Sequence, residues 1–215
     1  MPPTSLAPAH RRRCLVVVAV TVTTFVAAAP AARSQATPPI EPNAIERAIT
    51  KARGWLVGQQ RGDGSWEAPR SDGNTGPTGL VLLALANAGL GADDPAVRKG
   101  LAWLRGQEPD GTYAVSLQTL ALAMLSPEAD RAILERNVRR LEASQLRTGH
   151  TAGSWNYGGK NAGSGDNSNS QFAILALHEA ARAGVQVRRE TWTLAQQYWV
   201  SCANADGSWG YTRNP

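Results

Sequence analysis

Two kinds of hydrophobic segment alternate along this chain. Asn43–Gln60, Pro95–Gln107, Pro127–Gln145 and Arg189–Asn204 carry apolar residues on one face and charged residues on the other. In the third of these, Leu134, Val138 and Leu141 recur at the i, i+4, i+7 spacing of a single helical face. Pro95 and Pro127 open their segments at the first turn, where the missing proline N–H costs nothing. Gly79–Gly89, Leu117–Leu125 and Ser170–Ala181 are instead apolar nearly all the way round. A helix without a polar face has to be covered on every side. Short buried strands would also give apolar runs, but alanine-rich runs of roughly ten residues favour helix. The alternation therefore predicts an all-α chain of about seven helices. Four amphipathic helices form an outer layer, and three apolar ones lie inside it, facing a central cavity.

A phrase built around tryptophan recurs at the junctions between the two kinds of segment. Trp55-Leu-Val-Gly-Gln59 leads to Asp63-Gly64-Ser65-Trp66, and Trp103-Leu-Arg-Gly-Gln107 leads to Asp110-Gly111-Thr112-Tyr113. Leu141-Glu-Ala-Ser-Gln145 leads to Gly153-Ser154-Trp155, and Trp199-Val-Ser-Cys-Ala203 leads to Asp206-Gly207-Ser208-Trp209. The first positions are 48, 38 and 58 residues apart. A period of roughly 20–50 residues is the mark of stacked supersecondary units sharing one continuous core.

Each residue type in the phrase has a physical role. An outer helix ends near the glutamine, where the last four carbonyls have no intrahelical partner and a side-chain amide can donate to them. Asp-Gly supplies a tight reversal, with glycine taking the positive φ that a side chain resists. The closing Trp or Tyr then drops a ring of about 150–250 Å² into the junction with the next repeat. Trp55, Gln59, Trp66, Trp103, Gln107, Tyr113, Gln145, Trp155, Trp199 and Trp209 are accordingly expected to be structural staples.

Trp/Leu-x-x-x-Gln followed by Gly-Ser-Trp resembles the QW motif of squalene and hopene cyclases, and the wider pattern resembles the prenyltransferase/squalene-oxidase repeat. The longest matching stretch is Gly153-Ser-Trp-Asn-Tyr157 with Gly165-Asp-Asn-Ser-Asn-Ser-Gln-Phe-Ala-Ile-Leu-Ala-Leu-His-Glu-Ala-Ala181. It is similar to secreted bacterial members of that superfamily whose activity is generally unassigned. The resemblance covers residues 43–215 and implies an α/α toroid. Such toroids typically have about six hairpins, whereas seven helices are counted here, so a partial toroid with an open ring is expected. The reading is of a chain truncated at its C-terminus, or one that closes the ring by self-association.

The first 36 residues read as a secretory signal peptide. Arg11-Arg12-Arg13 precede the apolar run Leu15–Val26, and small residues follow up to Ser34-Gln35-Ala36. The run is short for a membrane span, so an exported protein with no stable span after cleavage is expected. Thr37–Pro42 forms a proline-rich lead-in. Removing the leader removes four of the 22 basic residues and none of the 17 acidic ones, so the remainder carries a net charge of +1. The basic balance of the whole chain thus gives no support for nucleic-acid binding. Cys202 is the single cysteine after the leader, which leaves no internal disulfide and reads as a buried small hydrophobe.

The resemblance also names chemistry to look for. Hopene-type cyclases carry an Asp-x-Asp-Asp acid; here Gly91-Ala92-Asp93-Asp94 lacks its first aspartate and sits before Pro95 as an ordinary cap. Protein prenyltransferases hold zinc through Asp-x-Cys and a distant histidine, but Val200 stands two positions before Cys202. No metal or cofactor is expected. The polar loop Thr148–Asn169 opens onto the third apolar segment and offers a candidate ligand rim of Tyr157, Lys160, Asp166, Asn167, Asn169 and Gln171. Thr78 and Gln118 face the same expected cavity. The bland alternative is a solvated loop with Asp166 or Ser168 capping the helix. Three function classes follow: a secreted binding or interaction scaffold for an unknown ligand or protein partner, a terpene-cyclase or prenyltransferase-like enzyme fragment, or a carbohydrate-active toroid of the polysaccharide-lyase kind.

Overall fold

In the computed structural model, residues 41–66, 75–158 and 163–212 are described. The expected leader, Lys160 and most of the proline-rich lead-in lie outside them. Seven α-helices occur among the described residues: α1 (Pro42–Gly58), α2 (Gly76–Asn87), α3 (Pro95–Arg105), α4 (Thr112–Leu125), α5 (Arg131–Ser144), α6 (Asn167–Arg182) and α7 (Arg189–Cys202). The protein is all-α. Among the described residues the sole β feature is an isolated antiparallel bridge between Trp155 and Asp166.

Local chemistry sets the helix starts. Asp94 Oδ1 accepts from the Ala96 and Val97 amides at 2.9 and 3.3 Å, and Pro95 occupies the first turn of α3. Asp166 does the same for α6, accepting from the Asn169 amide at 2.8 Å. The outer segment expected from Pro127 starts four residues later, at Arg131. Residues 127–130 form a turn instead. The buried Asp130 carboxylate ties that turn to α3, accepting from Arg105 Nε at 2.7 Å and Nη2 at 2.9 Å. Conversely, α4 begins five residues before the apolar run, at Thr112, and α6 begins at Asn167 rather than Ser170. In both cases the polar first residue is held by a neighbouring loop, which residue hydropathy does not register.

The three apolar helices form a row with α4 in the middle, packed against α2 on one side and α6 on the other. Leu82, Leu85, Leu117, Leu122, Ala173 and Leu177 of these helices are fully buried. At Gly79 a Cβ would lie 3.1 Å from the Leu117 carbonyl carbon, so glycine sets how closely α2 approaches α4. Helix α3 packs on α2, and α5 packs on α4 and α6. Their buried stripes are Val97, Leu101, Leu104 and Leu134, Val138, Leu141, the second being the face read from the sequence. The outer helix α1 touches α2 only lightly and leaves Ile45, Ile49 and Trp55 exposed.

Candidate functional site

The repeated phrase builds one hydrogen-bonded junction several times over. In the first repeat the Trp66 indole N–H donates to the Leu56 carbonyl at 2.7 Å, and the Trp66 amide donates to Thr78 Oγ1 at 2.9 Å. In the third, the Trp155 indole donates to the Leu141 carbonyl at 2.7 Å and its amide to Ser170 Oγ at 3.0 Å. The indole thus satisfies an orphan carbonyl at the end of the outer helix, while the amide is taken up by a hydroxyl on the inner helix. A glutamine completes the junction by bridging to the next outer helix. Gln145 Nε2 donates to the Gly153 and Thr191 carbonyls at 3.1 and 3.0 Å.

In the first repeat this bridge is made by Gln60, to the Gly64 and Ala96 carbonyls at 3.0 and 2.9 Å. The sequence-based choice of Trp55 and Gln59 is therefore one residue out of register. Leu56 and Gln60 are the true counterparts of Leu141 and Gln145, while Trp55 is 64% exposed and Gln59 is exposed. Trp66 stands ten residues after Leu56, as Trp209 does after Trp199, whereas Trp155 stands fourteen after Leu141.

The second junction departs from this scheme. Tyr113 lies inside α4 and meets Phe172 of α6 edge to face, with ring centroids 4.4 Å apart. Gln107 returns its amide to the Trp103 carbonyl of its own helix at 3.1 Å, and the Trp103 ring is half-buried. Gln118 takes over the bridging role. It is fully buried, donates to the Leu104 carbonyl at 2.9 Å, and accepts from Asn137 Nδ2 at 2.8 Å. In the fourth junction the Trp209 indole donates to the Trp199 carbonyl at 2.9 Å, yet Trp209 remains 51% exposed.

Most of the expected ligand rim is consumed by these junctions. Thr78 and Gln118 are buried in the bonds just described. The Asp166 carboxylate is buried and accepts from both the amide and Nδ2 of Asn169, the latter at 2.9 Å. Asn167 receives the following loop: its amide and Nδ2 donate to the Tyr211 and Gly210 carbonyls, each at 2.8 Å. Thr112 plays the same part at the start of α4, where its Oγ1 donates to the Asn156 carbonyl at 2.6 Å. A polar residue at the first helical position is a docking point for the next loop, a role indistinguishable in sequence from a ligand contact. Two buried acceptors, Asn167 Oδ1 and Asn169 Oδ1, have no hydrogen-bond partner among the described residues. Gln171 is exposed, as is Tyr157, whose hydroxyl lies 3.0 Å from that of Tyr211. That contact pushes the Tyr211 phenol up to about 12. Cys202 is buried, as expected. His178 is exposed beside Glu179.

A different surface presents itself at the opposite end of the inner helices. Leu83 and Asn87 of α2, Leu120, Ala123 and Met124 of α4, and Leu175, Glu179 and Arg182 of α6 line a groove of about 590 Å³. No residue of α1, α3, α5 or α7 contributes to it. Its floor is apolar and its rim polar, with Arg182 paired to Glu179 at 3.1 Å. Leu80, Met124 and Leu175 are 50%, 47% and 43% exposed along the same faces. Sequence reasoning sought polar residues and so passed over this surface, whose signal was apolar helices with no polar face.

Among the described residues, no group of three or more histidine, cysteine, aspartate or glutamate side chains is placed to hold a metal ion. No helix among them is long and apolar enough to cross a membrane. The chain matches no protein-family model and no curated protein.

Proposed function

We propose that this chain is an exported, QW-type repeat domain that works as a binding scaffold, and that its ligand is a molecule with an elongated apolar body and a polar end. One observation carries the reading: the apolar faces of α2, α4 and α6 are exposed together along a groove of about 590 Å³. A soluble domain rarely leaves such a contiguous apolar surface bare without a use for it. The Asn87, Glu179 and Arg182 rim would receive the polar end. Supporting the repeat assignment, the indole-to-carbonyl bond at the end of an outer helix recurs in three repeats. The toroid and the export are carried by the sequence motifs alone. A binding role is favoured over cyclase or zinc-prenyltransferase chemistry because the sequence lacks both the Asp-x-Asp-Asp acid and the Asp-x-Cys pair.

A fluorescent fatty acid and farnesol as its competitor test the groove. Saturable binding is expected, with at least a tenfold loss of affinity in the Met124→Glu/Leu175→Glu double variant and unchanged helical circular dichroism. Both positions are half exposed, so the charges disturb the groove rather than the core. Failure of both probes to bind the wild-type chain would remove the proposal.

A further inference from the structure

The two halves of a repeat junction each recur on exposed surface, once at either end of the helix series. The receiving half is the turn Gly-Ser-Trp after an outer helix. Gly64-Ser65-Trp66 and Gly153-Ser154-Trp155 are buried, and each is covered by the outer helix that follows. A Cβ on Gly64 would lie 2.5 Å from the Lys99 carbonyl oxygen of α3, and one on Gly153 would collide with the Leu194 carbonyl of α7. Gly207-Ser208-Trp209 has the same internal construction. Gly207 holds φ +82°, against +99° and +94° at Gly64 and Gly153. The Asn204 amide donates to the Ser208 carbonyl at 2.8 Å, just as Arg61 does to Ser65 and Leu146 to Ser154. Yet among the described residues nothing lies within 4 Å of a Cβ on Gly207, and Gly207, Ser208 and Trp209 are all exposed.

The covering half recurs on α1. Leu56 and Trp199 are aligned because the carbonyl of each accepts an indole N–H. Counting back from them, Thr191, Leu194, Ala195 and Tyr198 of α7 correspond to Ala48, Lys51, Ala52 and Trp55 of α1. On α7, Thr191, Ala195 and Tyr198 are buried against the third repeat. On α1, all four counterparts are exposed.

We propose that a second copy of this chain docks the Ala48, Ala52 and Trp55 face of its α1 onto the Gly207–Trp209 turn, repeating the contact that α7 makes with Gly153–Trp155. The occupant is a second copy because one chain carries both complementary halves. Small residues at positions 48 and 52 admit the close helix approach that the glycine demands, as Gly100 does against the Trp66 ring, where a Cβ would lie 2.8 Å from Cζ3. The contact is head-to-tail, so the same two faces remain free at the ends of each dimer and assembly continues to a closed ring or a filament.

Two single variants of the full chain test this. Gly207→Asn keeps the positive φ, which asparagine tolerates, but places a side chain where the covering carbonyl has to sit. Ala52→Arg blocks the opposite face at an exposed helical position. In sedimentation equilibrium the wild-type chain is expected to reach a mean mass at least twice that of either variant. Each variant alone stays monomeric, and an equimolar mixture of the two forms a dimer through its one intact pair of faces. A wild-type chain that is monomeric at all concentrations overturns the proposal, and so does a mixture that stays monomeric. Unchanged helical circular dichroism in both variants excludes misfolding as the cause.

Discussion

Gly64, Gly153 and Gly207 share one backbone conformation and differ in what stands over them. At φ +99° and with the Lys99 carbonyl pressing on it, Gly64 admits no side chain. Gly64→Ala is expected to cost about 2–5 kcal/mol, combining backbone strain with overpacking. Gly207→Ala carries strain alone and is expected to cost about 1 kcal/mol. Chemical denaturation of the two variants checks the order, and equal costs would contradict the junction geometry. Tyr211 supplies a second residue-scale expectation. Its phenol is held up to about 12 mainly by the hydrogen bond with the Tyr157 hydroxyl. The folded chain then binds this proton more tightly than the unfolded one. The contribution is complete below the ordinary tyrosine range near 10 and fades as pH rises towards 12. In an ultraviolet phenolate titration, the Tyr211 step is expected late and to move down towards 10 in Tyr157→Phe.

At the level of elements, the inner helices do two jobs that hydropathy alone cannot separate. Leu80 and Leu82 sit two residues apart on α2 with the same side chain, yet Leu82 is fully buried and Leu80 is 50% exposed. Leu82→Ala is expected to destabilise the fold by about 2–5 kcal/mol, and Leu80→Ala by under about 1 kcal/mol. Thermal unfolding with circular dichroism distinguishes them. The existence of the seven helices was legible in the sequence, because amphipathic character marks the outer segments and alanine-rich apolar runs mark the inner ones. Their starts were less so. Pro127 looked like a first-turn proline, but the Asp130 carboxylate bound to Arg105 holds that stretch as a turn. Thr112 and Asn167 lacked the apolar character that marks the inner helices, and loop carbonyls hold them in their first turns.

Across the whole molecule, packing is uneven. The row α2–α4–α6 carries most of the contact between helices, while α1 touches α2 lightly and none of its described side chains is fully buried. Local stability follows such contact density. Amide hydrogen exchange is expected to be fastest, among the helices, in α1 of a dilute sample, and slowest in α4. Raising the concentration is expected to slow exchange in α1 and around Gly207, where a second copy is proposed to dock, and to leave α4 unchanged. Slow exchange of α1 at high dilution would show that it is held by something other than a second copy.

The sequence by itself determined the all-α class, the alternation of amphipathic and apolar helices, and the chemistry of the junction phrase. These are local properties, fixed by side-chain period, by glycine at turns and by the donors available at helix ends. Tertiary structure alone decided how each polar group is spent. Asp166, Asn167, Asn169, Thr78 and Gln118 read as a ligand rim because a hydroxyl, carboxamide or carboxylate advertises hydrogen bonding without naming its partner. Packing supplied the partners from neighbouring loops and helices. The same packing left the inner helices bare along one groove, and left a Gly-Ser-Trp turn and the α1 face that fits it open to solvent. Which polar group meets which partner, and which apolar face stays bare, depends on residues distant in the chain, and the local pattern does not encode it.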